Sequence, residues 1–259
     1  MPWHGTNALP LCVEHGREYT GVNWLILLSA RTERRYTSRF WGTFKQWRAR
    51  RQSVAAGEKG TALLRPQFRS RVRASQTLDG WRIFHVFNGD QVVNRNEAHP
   101  DLFGDVASPV RSAESVITQT GAHIRHGGHH ARYYPSQDFI EMPEPGAFVA
   151  TAHSTPTQNY YATALHELVH WTGHLTRENR VFGAWTSREY AFEELIAEIG
   201  SAYLCGKLAL ETVPRADHAQ YLASWLNAIK SDPTLLLTAA GLASRAAGRI
   251  LKASPTPGT

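Results

Sequence analysis

Two imidazoles four residues apart, with a carboxylate between them, are the strongest chemical signal in this chain: Leu165-His166-Glu167-Leu168-Val169-His170-Trp171-Thr172-Gly173-His174. On a helix, positions i and i+4 share a face, so His166 and His170 can reach one metal ion. Glu167 lies next to the first of them without being a ligand itself. A bound zinc lowers the pKa of its water toward ~7, and a carboxylate beside it can take the proton as hydroxide attacks a polarised carbonyl. The spacing therefore points to metal-dependent hydrolysis.

A catalytic zinc takes a third protein ligand and keeps one position open. Glu194, in Glu189-Tyr190-Ala191-Phe192-Glu193-Glu194-Leu195-Ile196-Ala197-Glu198-Ile199-Gly200-Ser201, is the expected ligand. Glu198, one turn later, is expected to accept from the free ring N–H of a ligand histidine. Glu193, about a quarter-turn away, and His174, past the glycine, are the alternatives to Glu194. His123, His126, His129 and His130 cluster around Gly127-Gly128 and read as a solvated loop rather than a second metal site. Cys12 and Cys205 make neither a disulfide framework nor a CxxC pair.

These residues need elements to hold them. Thr155-Pro156-Thr157-Gln158 has the form of a capping box with proline at the first helical position, and Gly173 is placed to end the helix that carries His166 and His170. Small Ala197 and Ser201 beside Glu194 would let the second helix approach closely. A helix over Ala113–Thr120, strands near Arg132–Tyr134, Asp138–Met142 and Ala147–Ala150, and an Ala-rich helix after Lys230-Ser231-Asp232-Pro233 complete this half. The first hundred residues read differently. A buried helix is expected from Val22, and a second through Phe40–Arg51, capped by Thr37 or Ser38. Gly57–Gly60 reads as a tight turn. Two-residue alternation over Phe68–Arg73 and Trp81–Phe87, joined through Thr77–Gly80, predicts a hairpin. The class is α+β in two domains. Residues 1–98 carry a small antiparallel sheet with helices, 99–112 link, and 113–259 form a mostly helical domain.

At 259 residues and 42% hydrophobic content, the chain can build a core, which excludes a disordered protein. Its longest apolar runs fall far short of the ~20 residues that span a bilayer. The first residues lack the basic and apolar regions of a secretory signal, so a cytoplasmic protein without membrane association is expected. The net charge of +6 averages unlike halves. Residues 1–100 hold 16 Lys and Arg against 7 Asp and Glu, and five of the eight tryptophans; the rest is mildly acidic. Modules with different partners are implied.

Leu9-Pro10, Tyr19-Thr20-Gly21-Val22-Asn23, Thr43-Phe44-Lys45-Gln46, Gly57-Glu58-Lys59-Gly60-Thr61 and Val86-Phe87-Asn88 resemble the N-terminal domain of ArdC-type antirestriction proteins. That domain is also similar to the N-terminal part of conjugative TraC primases. The string Tyr161–Gly173, the Tyr190–Gly200 segment and Lys230–Pro233 resemble the family's zincin-like metallopeptidase domain. The resemblance implies a protein of plasmids or other mobile elements that binds single-stranded DNA and protects incoming DNA from restriction. A protein or peptide substrate would go with the metallopeptidase domain. Two stretches depart from the pattern: Leu175–Arg180, which lacks an Arg-Leu pair, and the histidine-rich 123–130 segment. Single-strand binders combine a positive groove with aromatic faces. Trp41, Phe44, Trp47 and Trp81, with Lys45, Arg48, Lys59, Arg69, Arg71 and Arg73, supply those ingredients.

Overall fold

The computed structural model describes residues 9–68, 78–93, 109–151, 154–184, 187–210 and 232–253. Contacts divide the chain into two compact units, whose bodies are Leu9–Gly104 and Asp105–Thr259. Both mix helix and sheet.

In the first unit the elements are β1 (Leu11–Cys12), α1 (Val22–Glu33), β2 (Phe40–Gly42), α2 (Phe44–Ala49), β3 (Ser53–Val54), β4 (Thr61–Phe68), β5 (Leu78–Asn88) and β6 (Val92–Val93). The main sheet runs β1-β2-β5-β4 and β3 pairs with β6. The sheet is mixed rather than purely antiparallel, because β1 lies parallel to β2. The long β4–β5 ribbon pairs Thr61 with Val86 and Pro66 with Trp81. Its first strand therefore starts earlier than the predicted Phe68, and Leu78–Gly80 belongs to the second strand.

Side-chain periodicity fixes which ribbon face is inside. Leu63 and Val86 pack with Leu27, Ala30 and Trp41 in one cluster, while Val13, Trp47 and Val92 form another. Asn23 holds the edge strand β4 to α1. Its Nδ2 donates to the carbonyl of Leu64 (2.8 Å), and its Oδ1 accepts from the Leu64 amide (2.9 Å). Gly21, the residue before α1, has φ +61°, a conformation that favours glycine. These contacts account for the Tyr19–Asn23 string.

The helix expected through Phe40–Arg51 is shorter and capped elsewhere. Thr37 and Ser38 are tied to Asp90, whose Oδ2 accepts both amides. Phe40–Gly42 is extended because β1 and β5 flank it. Thr43 is the actual cap, in a reciprocal capping box with Gln46.

The second unit contains α3 (Pro109–Thr120), β7 (His123–His126), β8 (Arg132–Tyr134), β9 (Phe139–Met142), α4 (Pro156–Thr172), α5 (Arg188–Lys207) and α6 (Thr234–Ala253). Its sheet order is β7-β9-β8, with β7 parallel and β8 antiparallel to β9. The segment read as a histidine loop thus begins as a strand. A 3₁₀ turn, Pro145–Ala147, takes the place of the strand expected near Ala147. Helix α4 is central, packing on α3, α5, α6, β8 and β9. Leu165, Leu168 and Val169 are fully buried on it, each contributing about 1.5–3 kcal/mol. Buried alanines 239, 240, 243, 246 and 247 line α6, which lets it lie close to α5. Among the described residues no helix is long and apolar enough to cross a membrane.

Candidate metal centre

The expected box starts α4. Thr155 Oγ1 accepts from the Gln158 amide (3.2 Å), and Gln158 Oε1 accepts from the Thr155 amide (2.8 Å), with Pro156 at the first helical position. Three turns on, the Nε2 atoms of His166 and His170 face one another at 3.2 Å. Glu194 reaches across from α5, with one oxygen 3.5 Å from His166 Nε2 and the other 3.4 Å from His170 Nε2. All three residues are buried, and their donor atoms lie within 4.8 Å of one another. Bonds of ~2.0–2.1 Å to a tetrahedral ion set neighbouring donors about 3.3 Å apart. Two imidazoles and a carboxylate at these separations fit a divalent ion.

Close helix approach makes this convergence possible. A Cβ at position 200 would lie 2.9 Å from Val169 Cγ2 and 3.1 Å from its Cγ1. Gly200, beside the anticipated Ala197 and Ser201, therefore sets the α4–α5 distance. Gly173 acts likewise. Its φ of −76° is right-handed, but a Cβ there would lie 2.7 Å from Phe182 and 3.0 Å from Arg180. Absence of a side chain, rather than a left-handed turn, is what this position requires.

Each histidine also has a carboxylate behind it. Glu198 Oε2 is 3.7 Å from His166 Nδ1, and Glu193 Oε1 is 3.1 Å from His170 Nδ1. Glu193 is in turn held by Arg180, whose Nε and Nη2 donate to its two oxygens at 2.9 and 2.8 Å. Arg180 also donates to the Val169 carbonyl and to Thr172 Oγ1. Glu193, weighed above as a ligand, thus faces the far ring nitrogen of His170. His174 is outside the cluster, near Thr176 and Asp138.

Glu167 is buried beside the histidines, and its Oε2 accepts the Tyr133 amide at 2.9 Å. Strand β8 is fastened there by Arg177, which binds Asp138, the Tyr133 hydroxyl and the Trp171 carbonyl. Its guanidinium also stacks on Trp171 at 3.9 Å. Sequence reasoning missed Arg177, Arg180, Asp138 and the Tyr133 amide. Arginines in a loop read as solvated unless their distant partners are known.

Charge and burial compete at the cluster. Burial pushes His166 below the usual imidazole range. Burial opposes charge on His170 as well, but hydrogen bonds to Glu193 and Glu194 outweigh it and hold its pKa up to about 10. Glu193 and Glu194 stay below the usual carboxylate range despite burial, because the histidines, and Arg180 for Glu193, favour their anions. Burial, with Glu198 nearby, pushes the Cys205 thiol up to about 12, consistent with an inert core cysteine.

Comparison with known proteins gives the same division. Residues 1–97 match the family model for the N-terminal domain of anti-restriction factor ArdC, and residues 111–242 match that for a zincin-like metallopeptidase. The crystal structure of the antirestriction ArdC protein from plasmid R388, metal-free, superposes with a TM-score of 0.77 at 34% identity, covering 97% of this chain and 90% of that one. The chain belongs to the ArdC family of antirestriction proteins. The Mn(II)-bound form of the R388 protein gives a TM-score of 0.78 at 33% identity over 99% and 92% of the two chains. Protein y4eC of Sinorhizobium fredii is 35% identical over 95% of this chain and 83% of its own. A DNA primase TraC of Escherichia coli is 34% identical over 92% of this chain, but the match spans only 23% of the primase.

In this ArdC-family chain the residues named for nucleic acid separate into two groups. Trp41 is 0% exposed, packed edge-on against Tyr36 in the core, so it has no face for a base. Trp47 is equally buried and donates from Nε1 to the Phe87 carbonyl (3.0 Å). Both are structural, which corrects the reading of Trp41 as a contact residue. Trp81 is 42% exposed and Phe44 53%, and Lys45, Arg48 and Lys59 are exposed. In register, Trp81 lies opposite Pro66 and Ile83 opposite Leu64, on the ribbon face away from the core. Arg69, Arg71 and Arg73 lie outside the described residues.

Proposed function

We propose that this antirestriction protein binds single-stranded DNA through its first domain and holds zinc at His166, His170 and Glu194 in a peptidase-type site. The domains are 1–98 and 113–259, joined by 99–112. The observation that carries the reading is the convergence of three buried donors with Glu167 beside them. When bound, zinc would supply Lewis acidity and an activated water. The chain does the rest: Glu193 and Glu198 orient the imidazoles, the Tyr133 amide orients Glu167, and a Glu167 oxygen accepts the proton.

The Mn(II)-bound R388 relative supports a divalent ion at this site, and the nitrogen-rich donor set favours zinc. For the DNA, support comes from the exposed aromatics Trp81 and Phe44, from the exposed cations Lys45, Arg48 and Lys59 of the same domain, and from the primase relatives. Plasmid and primase relatives support a mobile-element protein acting in the cytoplasm.

One observation favours a second reading, in which the metal is structural or catalytically silent. Glu167 itself is 4% exposed, so a substrate has little access to it. Glu167→Gln separates the two. Hydrolysis predicts that it keeps the metal and loses cleavage of an unfolded protein substrate. Unchanged protection of incoming DNA would show that antirestriction proceeds without cleavage.

A further inference from the structure

The outer face of the β7-β9-β8 sheet carries a feature that the metal centre does not use. Register places His123, Phe139 and Tyr134 in one row and Arg125, Glu141 and Arg132 in the next. The inner positions Ile140, Met142 and Tyr133 are buried. On the outer side Phe139 and Tyr134 stack at 4.8 Å with 10° between planes. Arg125 covers the Phe139 ring at 4.2 Å, and Arg132 lies over Tyr134 at 5.4 Å. Two guanidinium groups thus cap an aromatic stack, and both remain exposed.

Ordinarily a carboxylate between two arginines would neutralise them. Here Glu141 occupies that register position but accepts from the Tyr134 hydroxyl at 3.2 Å. Among the described residues neither arginine forms an ion pair with it. Gly128 lies directly against the Glu141 side chain, where a Cβ would meet its Cγ at 2.5 Å, so the turn after β7 packs on that side chain. No Asp or Glu occurs between Glu114 and Asp138, a stretch that also brings His129 and His130. Arg125 Nε donates to His123 Nε2 at 3.4 Å, while stacking orders each guanidinium and leaves its terminal N–H donors for an anion, the arrangement that suits phosphate.

We infer that this face is a second phosphate-contact surface for single-stranded DNA, with Arg125 and Arg132 as its two anchors. It rests on the reading of the first domain as a DNA binder and gives the metallopeptidase domain a phosphate-contact surface of its own. Charge complementarity selects the occupant. Because the ring faces are taken by each other and by the arginines, contacts run to the backbone and carry no base preference.

The test uses the full chain and a labelled oligothymidine, with affinity measured by anisotropy across salt concentrations. Each phosphate contact on a single strand contributes about 0.7 to the slope of log K against log salt. Arg125→Gln/Arg132→Gln is expected to lower that slope by roughly 1.4 while Trp81→Ala weakens binding through the other domain. Hydrogen–deuterium exchange of the unmodified protein, with and without the oligonucleotide, is expected to slow in the β7–β9 region and needs no variant to fold. A slope unchanged in the double variant, or protection confined to residues 1–98, overturns this inference alone. Absence of any binding by the unmodified protein overturns it together with the reading of the first domain.

Discussion

Arg180→Met tests how the metal histidine is held. The guanidinium makes four hydrogen bonds, two to Glu193 at 2.8 and 2.9 Å, one to the Val169 carbonyl at 2.6 Å and one to Thr172 Oγ1 at 2.9 Å. Side chains on both sides are nearly solvent-free, 5% for Arg180 and 4% for Glu193. Removing one partner of a buried ion pair costs about 3–5 kcal/mol, because the other charge is left uncompensated. At about 2–4 °C per kcal/mol for a unit of this size, the metal-free protein should melt roughly 6–20 °C lower. Glu193 would also lose its fixed orientation toward His170 Nδ1, and loss of such a partner lowers metal affinity about 10–100-fold. Thermal melts in chelator and competitive zinc titration measure the two effects. The double variant Arg180→Met/Glu193→Gln should recover part of the stability, since the orphaned charge is gone. A loss under ~1 kcal/mol for the single variant, with unchanged zinc affinity, would refute the reasoning.

Gly200→Ala places a methyl group within 2.9–3.1 Å of Val169; overpacking predicts about 1–3 kcal/mol of destabilisation by denaturant titration, despite alanine's better helix propensity. Asn23→Ala removes both hydrogen bonds to Leu64 and should cost about 1–3 kcal/mol, with faster amide exchange along β4. The Arg177 guanidinium, against the smaller effect of burial, holds the Asp138 carboxyl below the usual carboxylate range. A depressed carboxylate stabilises above its unfolded pKa and loses that contribution as pH falls through the folded one. The unfolding free energy of the parent should therefore fall more steeply below about pH 4 than that of Asp138→Asn, by under ~1 kcal/mol because the side chain is 35% exposed, as denaturant titration across pH measures. Trp81→Ala should leave the melt unchanged and weaken oligonucleotide binding by about 1–3 kcal/mol per stacked base, whereas Trp41→Ala should cost about 3–5 kcal/mol of stability.

Local geometry explains what was readable in the sequence. The pairing of His166 with His170 follows from helical repeat alone, and the Thr155–Gln158 box needs only adjacent residues. Contacts distant in sequence were not readable. Glu193 and Glu198 both face histidine nitrogens, but Glu193's orientation depends on Arg180, thirteen positions away across a loop. Trp41 and Trp81 look alike as exposed-or-buried aromatics until β2 is known to lie inside the sheet and Trp81 at the ribbon's outer end. Thr37, Ser38 and Thr43 are equally good caps by type; Asp90, from beyond β5, removes the first two from contention.

Metal content decides the central claim. Purified protein, dialysed against trace zinc and measured by mass spectrometry, is predicted to hold about one equivalent of metal. His166→Ala and Glu194→Ala should lose it while Glu167→Gln keeps it. Equal metal content in the parent and in folded His166→Ala protein would contradict the account.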